Sequence, residues 1–183
     1  MRNREKTGMI GIVRMQLLDK DGNRKPIFQA NNLWSKINKT LGVDLKLPVL
    51  TGKWTMDYEV FNEIKNAGLS EAAKLLGGVA ADSISHMAIG IGTSGTTTLN
   101  SEITTGDGER VAVTPTSETT TSTGDTIESD NTFTFSDAFA VTEEGLLNAG
   151  SAGDLIAYKE FSAINVTSGD SLQITHSIVF TTS

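Results

Sequence analysis

Residues 170–182 read Asp-Ser-Leu-Gln-Ile-Thr-His-Ser-Ile-Val-Phe-Thr-Thr, which alternates apolar and polar positions. Successive side chains of a β-strand point to opposite faces of a sheet, so one face of this stretch is apolar and carries His176. The other face carries mainly Gln, Thr and Ser. The pattern therefore predicts a long antiparallel strand with one face against a core.

Five stretches upstream are also strand candidates, because they are rich in Val, Ile, Phe and Thr and are bounded by Gly, Asp and Ser turns. They are 84–91, 109–116, 125–136, 138–143 and 154–162. Many short strands with such turns are typical of two packed antiparallel sheets. We therefore predict a mainly β protein with a smaller helical N-terminal part, in which residues 79–183 form an antiparallel β-sandwich of the jelly-roll type.

Residues 1–30 are predicted to form an N-terminal arm followed by a β-hairpin. The turn signal is Asp19-Lys-Asp-Gly-Asn23, because Asp-Gly supplies the positive φ that a tight hairpin needs. Pro26 would begin the return strand. An arm of this kind can bridge subunits, and its apolar residues are candidate assembly contacts: Ile10, Ile12, Met15 and Leu17. We expect that deleting residues 1–16 blocks assembly but leaves the β domain folded.

Residues 31–78 are predicted to be partly helical and to form one compact unit with the β domain. Apolar residues recur at helical spacing at Leu33, Trp34, Ile37 and Leu41 and predict a first helix. A longer helix is predicted over about 58–76, and its buried side includes Val60, Phe61 and Ile64. A loop is inserted before it, over about 42–57. The two tryptophans of the chain, Trp34 and Trp54, are further candidate assembly contacts.

The composition excludes several classes of protein. The 183 residues include no Cys, which excludes a disulfide scaffold, a thiol nucleophile and a thiolate metal site. No stretch approaches the roughly 20 apolar residues of a membrane span, and the basic start of the chain does not resemble a secretory signal. We expect a soluble protein with no membrane partner.

Charge is distributed unevenly along the chain. Residues 1–80 contain 13 Lys and Arg against 8 Asp and Glu, whereas residues 81–183 contain 2 against 14. This asymmetry favours two surfaces with different partners, with the basic part docking on an acidic surface; a chance solvation pattern is the alternative. The basic residues are spread out and few aromatic residues lie among them, so nucleic acid is not a predicted partner.

Two motifs resemble ligand-binding loops but lack the required context. Gly90-Ile-Gly-Thr-Ser-Gly95 matches the dinucleotide-binding pattern, yet no helix signal follows it. Residues 19–23 resemble the start of a calcium-binding loop, but Ala30 stands where the bidentate Glu is required. We therefore predict no nucleotide, metal or other cofactor.

The titratable residues form no recognisable catalytic set. His86 and His176 have no zinc-ligand spacing. Glu143 and Glu144 are adjacent, so in an extended strand they point to opposite faces and cannot act together on a glycosidic bond. We predict that the protein is not an enzyme and has no catalytic residue.

One basic residue in the acidic part of the chain invites a structural interpretation. Arg110 is one of two Lys or Arg residues after position 80. An isolated Arg in an acidic β domain is suited to a bidentate ion pair with a carboxylate. Glu102 and Glu144 are the candidate partners.

Several short motifs occur in a fixed order from about residue 31 to 182. They are Asn32-Leu33, Ala67-Gly-Leu69, Ala88-Ile-Gly-Ile-Gly-Thr93, Leu99-x-x-Glu102, Arg110, Thr142-Glu-Glu-Gly-Leu-Leu-Asn148 and Gly169-Asp-Ser-Leu-Gln-Ile-Thr175. In this order they resemble a domain of structural proteins of tailed-bacteriophage virions. Members of that family are described as capsid, head-fibre or tail components, and the resemblance implies no catalytic residues. The insertion over about 42–57 departs from the family pattern.

The resemblance implies a virion protein that assembles in the cytoplasm of a host bacterium. Small size, an acidic β body and a basic N-terminal part favour a head-attached decoration or cement protein. Its partners would be other copies of itself, with a trimer as one candidate, and the major capsid protein or other virion proteins. The first alternative is a tail, collar or fibre component that binds a receptor through the polar loops 93–108 or 117–125. A small glycan hydrolase and a binding module unrelated to phage are the remaining alternatives.

Overall fold

The computed structural model describes residues 8–30 and 52–181. The strands are β1 (Gly8–Leu18), β2 (Arg24–Lys25), β3 (Ile27–Ala30), β4 (Gly52–Thr55), β5 (Tyr58–Ile64), β6 (His86–Gly90), β7 (Val111–Ala112), β8 (Thr116–Glu118), β9 (Thr126–Thr134), β10 (Phe139–Leu147), β11 (Leu155–Val166) and β12 (Ser171–Thr181). The helix α1 (Asn66–Leu76) lies between β5 and β6 in the chain.

Within the described residues, ten strands form one antiparallel sheet in the order β7-β6-β10-β11-β5-β1-β12-β9-β8, with β2 paired to β1. The edge strands β7 and β8 follow one another in the chain and are separated by residues 113–115 alone. So short a connection spans at most about 14 Å, so the two edges must come close together. The sheet is accordingly curled into a half-barrel.

The predicted β-sandwich is therefore wrong, because the buried face of the sheet does not pack on a second sheet of similar size. The core lies inside the curl of one sheet. Alternating apolar residues predict that one face of each strand is buried, but they do not say whether that face meets another sheet or the curved continuation of its own.

The first described strand is central to the sheet and is not an arm. β1 pairs with β12 over its whole length and with β5 on its other side. Met15 and Leu17 are 1% and 3% exposed and belong to the core, whereas Ile10 and Ile12 point to the outer face. Deleting residues 1–16 would remove most of this strand, so from the structure we expect the deletion to unfold the β domain, contrary to the expectation from the sequence.

The turn after β1 forms, but the hairpin is short. Asp19 Oδ1 accepts hydrogen bonds from the amides of Asp21 (2.9 Å) and Asn23 (2.8 Å), and Gly22 has a φ of 81°. β2 is two residues long and ends before Pro26, which has no N–H for a ladder. The chain then leaves β1, and β3 pairs with β4 in a separate two-stranded sheet.

The predicted helix over 58–76 is half wrong. Residues 58–64 form β5, and the helix begins at Asn66. The apolar pattern of this stretch, at Tyr58, Val60 and Ile64, fits a period of two as well as a helical spacing. The stretch forms a strand because it pairs with β1 and β11. Trp34 and the helix predicted around it lie outside the described residues.

Three polar side chains from separate strands meet inside the curl. His176 of β12 lies 2.9 and 3.0 Å from the two carboxylate oxygens of Glu144 of β10, through its Nδ1 atom. Both side chains are fully buried. With a proton on Nδ1 the ring donates to Glu144, and its Nε2 accepts a hydrogen bond from the amide of Asn62 on β5. In the sheet β11, β5 and β1 separate β10 from β12, so the Glu144–His176 bond crosses the interior.

The Asn62 amide reaches His176 because the neighbouring position on β1 is a glycine. Gly11 is the register partner of Asn62, and a Cβ atom built at Gly11 would overlap the Asn62 amide. Any other residue at position 11 would therefore displace one member of the buried polar group.

We expect His176→Ala to lower the free energy of unfolding by about 3–5 kcal/mol, because it leaves the Glu144 carboxylate buried and without its partner. The double variant Glu144→Leu with His176→Leu should recover part of this loss, since apolar residues of similar size can replace a buried pair, while the Asn62 amide loses its acceptor. Urea unfolding of each variant measures the effect. Thr175→Ala, on the outer face of the same strand, is the control, and a His176→Ala loss as small as the control's would contradict the prediction.

Candidate assembly surfaces

Glu143 fixes the loop that follows β6. Its buried carboxylate accepts four hydrogen bonds, from the amides of Gly92 (3.2 Å), Asn100 (3.1 Å) and Ser101 (2.7 Å) and from the Tyr158 hydroxyl (3.0 Å). These donors replace the water that the carboxylate loses on burial. Residues 92–101 are thereby held against β10 and β11.

The glycines of the 90–95 motif serve this contact. A Cβ atom at Gly90 or Gly92 would lie 2.5 or 2.7 Å from Glu143 Oε1, which is too close for any side chain. The motif therefore lets backbone approach a carboxylate of the same chain. As the sequence predicts, Glu143 and Glu144 point to opposite faces: Glu143 holds the loop and Glu144 enters the interior.

We expect Glu143→Gln to lower the free energy of unfolding by about 1–3 kcal/mol, because the amide that replaces one carboxylate oxygen cannot accept the buried donors. Hydrogen exchange should also become faster at the amides of Asn100 and Ser101. Glu109→Gln, at an exposed position of the same acidic half, is the control. Unchanged exchange at Asn100 and Ser101 would show that Glu143 does not hold the loop.

Arg110 and Glu102 are brought together as a bidentate ion pair. The Nε and Nη2 atoms of Arg110 lie 2.8 and 2.6 Å from the two Glu102 oxygens, and the side chains are 10% and 19% exposed. Nη1 also donates to the backbone carbonyls of Ala149 (2.8 Å) and Ala152 (2.9 Å). Glu144, the other candidate partner, is bonded to His176 instead. The guanidinium thus ties two loops together.

We expect Arg110→Lys to lower the melting temperature measurably, with a stability loss of about 1–3 kcal/mol, because an ammonium cannot make the bidentate contact and reach both carbonyls. The matched control is Arg14→Lys. Arg14 pairs with Glu59 at a similar distance (2.8 Å), but these side chains are 52% and 56% exposed, so its loss should be small. Calorimetry compares the two variants, and equal losses would contradict the prediction.

The outer face of the two central strands β1 and β5 carries two exposed apolar side chains, Phe61 and Ile10, and the half-buried Ile12. Phe61 is 68% exposed and Ile10 is 42% exposed, and Ile12 is the direct register partner of Phe61. We call Ile10, Ile12 and Phe61 the outer patch. Sequence reasoning identified Ile10 and Ile12 but placed Phe61 on the buried side of a helix. The two-residue period of β5 was the signal that could have found it.

Trp54 lies on the small β3–β4 sheet. Its ring packs edge-on against Phe28, with 5.3 Å between ring centroids, and the side chain remains exposed together with that of Met56. Trp34, the other predicted contact, lies outside the described residues.

A second group of exposed apolar side chains lies at the end of α1 and on the nearby ends of β9 and β12. Its members are exposed and come from the helix end, β9 and β12: Leu75, Leu76, Val79, Ile127 and Phe180. Leu75, Ile127 and Phe180 also line a cavity of about 130 Å³ beside the helix.

Residues 8–30 and 52–181 contain no group of three or more His, Cys, Asp or Glu that could hold a metal ion. No helix within this part of the chain is long and apolar enough to cross a membrane. Comparison with protein-family models, with curated proteins and with solved structures finds no match to this chain.

Proposed function

We propose that this protein is a structural component of a tailed-bacteriophage virion, attached to the head as a decoration or cement protein. The observation that carries the proposal is the outer patch. Phe61 is 68% exposed on a central strand, beside Ile10 and Ile12. Exposed clusters of large apolar side chains on a soluble domain mark surfaces that bind other proteins.

The backbone that carries the outer patch is held by strand pairing. β1 and β5 are paired to each other, and β12 and β11 flank them, so the patch does not depend on a loop for its shape. Burying the Phe61 side chain against a partner would contribute about 1.5–3 kcal/mol. Such a contact is weak alone, but repetition over a closed shell makes it effective.

The residues that carry the family resemblance support a scaffold role. Gly90 and Gly92 admit the Glu143 carboxylate, Arg110 and Glu102 join two loops, and Asp170 accepts a hydrogen bond from Lys25 at 2.6 Å. Each of these contacts stabilises the fold of the chain. The proposed partners of the outer patch are the major capsid protein or another virion protein.

A tail, collar or fibre component is the second candidate, and the loop before β9 favours it. Residues 117–124 are exposed, yet their backbone is ordered by Asp125. Hydrogen bonds from the Thr121 hydroxyl and from the amides of Thr120 and Ser122 hold the pKa of Asp125 well below its usual range. A polar loop that keeps its shape in solvent suits receptor binding.

We expect Phe61→Glu to reduce incorporation of the protein into virions at least tenfold while the purified chain stays folded, because the charge must be desolvated in the docked state. The measurement is quantitative immunoblotting of purified particles made with the variant. Ile91→Glu places the same charge at another exposed apolar position and should be incorporated normally.

Gold-labelled antibody imaging of whole virions tests the location. Label over the head supports the decoration role. Label confined to the tail or neck would replace it with the second candidate, and particles without label would overturn the virion assignment.

A further inference from the structure

A groove opens in the sheet where β5 and β11 stop pairing. The ladder between these two strands has two register pairs and ends at Glu63 and Tyr158. Asn62 and Lys159 are the next residues of the two strands, and the strands do not pair there. The groove that both residues line has a volume of about 550 Å³, which lies within the range of about 300–1,000 Å³ for small-molecule sites.

The lining of the groove combines aromatic rings with polar groups. Phe61 and Tyr158 contribute the rings, and residues 94–96 contribute polar groups from the loop that Glu143 holds. Two lysines and two glutamates lie in the lining, so it offers a charged ligand no net charge of either sign. Lys65 is already paired with Glu63 at 3.0 Å and lies 4.6 Å from the centroid of the Tyr158 ring.

Lys159 reaches the groove from the inner face of the sheet. It is the register partner of Glu144, and directly opposite residues of an antiparallel pair share a face. Ala157 and Phe161, two residues before and after Lys159, are buried members of the core. The Glu144 carboxylate is bonded to His176 instead, and no described residue places a carboxylate at ion-pair distance from the Lys159 amine.

Burial changes the chemistry of this amine. Loss of water lowers the pKa of Lys159, and attraction to the adjacent Glu160 opposes this effect only in part. Lys74 shows the opposite behaviour, because its hydrogen bond to Glu71 raises the pKa of Lys74. At a given pH a larger fraction of Lys159 is therefore unprotonated, and the unprotonated amine is the nucleophilic form.

We propose that Lys159 binds an aldehyde ligand in the β5–β11 groove by forming a Schiff base with it. The amine nitrogen attacks the aldehyde carbon, and both amine protons leave with the carbonyl oxygen as water, so a C=N bond replaces the C=O bond. No oxidant or reductant takes part. Lysines that perform this reaction are typically desolvated, as Lys159 is.

The lining also indicates the kind of aldehyde. The rings of Phe61 and Tyr158 favour an aldehyde attached to an aromatic or other apolar group. Among electrophiles that combine with a neutral amine, an aldehyde does so reversibly and without a leaving group, as a binding site requires. The inference does not depend on the virion assignment.

The test is reductive labelling of the purified full chain with benzaldehyde and cyanoborohydride near neutral pH, which converts each Schiff base into a stable benzylamine. Mass spectrometry of the digested chain gives the rate at each lysine. We expect Lys159 to be labelled about tenfold faster than Lys74, since a pKa lower by one unit raises the unprotonated fraction about tenfold. The rate at Lys159 should level off as the aldehyde concentration rises, whereas the rate at Lys74 should stay proportional to it.

Two variants separate the groove from the amine. Thr96→Trp fills the groove from its loop wall and leaves Lys159 in place, so it should slow the labelling of Lys159 to the rate at Lys74. Thr132→Trp, at an exposed position of β9, is the matched control and should leave the labelling unchanged. Circular dichroism checks that each variant is folded.

Labelling of Lys159 that is no faster than that of Lys74 would overturn the proposal. Fast labelling that never levels off, or that Thr96→Trp leaves unchanged, would overturn it as well, because it would reveal a reactive amine without a ligand site. Neither variant alters the outer patch, and the virion experiments measure incorporation into particles. Either proposal can therefore fail while the other holds.

Discussion

The Glu144–His176 contact depends on the curvature of the whole sheet. The two side chains come from strands four positions apart, which in a flat sheet would be about 19 Å from each other. They meet at hydrogen-bond distance only because the sheet rolls up. Once the sheet is rolled, both groups are sealed from water, and each then needs the other as its polar partner. The curvature of the sheet and the pairing of these two side chains therefore depend on each other. Asn62, which has room because its neighbour is Gly11, adds a hydrogen bond to His176.

Glu143, the residue before Glu144, is also a buried carboxylate with hydrogen-bond donors around it, but it lies on the opposite face of the sheet. Glu143 is buried by a loop, where Glu144 is buried by the sheet's own curl. Backbone amides satisfy Glu143, and an imidazole satisfies Glu144. Adjacent residues of a strand point to opposite faces of the sheet. Two consecutive residues of β10 therefore bind a partner inside the curl and a loop on the outer face. The acidic character of the C-terminal half therefore includes carboxylates that serve the fold and never meet solvent.

The sequence permitted a partial prediction of this arrangement. The alternation over 171–181 correctly indicated a strand with one buried face, and an isolated Arg110 indicated an ion pair with a nearby carboxylate. The sandwich was wrong because alternation contains no information about curvature. Phe61 was misplaced because apolar residues at 60, 61 and 64 fit a helix and a strand, and only long-range pairing with β1 separates the two. Glu144 could not be assigned from sequence, since its partner lies across the barrel.

β1 contributes side chains to apolar surfaces on both faces of the sheet. Met9 points inward and lines the cavity beside α1, while Ile10 points outward and belongs to the outer patch. Consecutive residues of one strand thus lie on surfaces at opposite sides of the sheet. One strand of the curled sheet therefore contributes side chains to both faces, because alternate residues point to opposite sides of the same backbone.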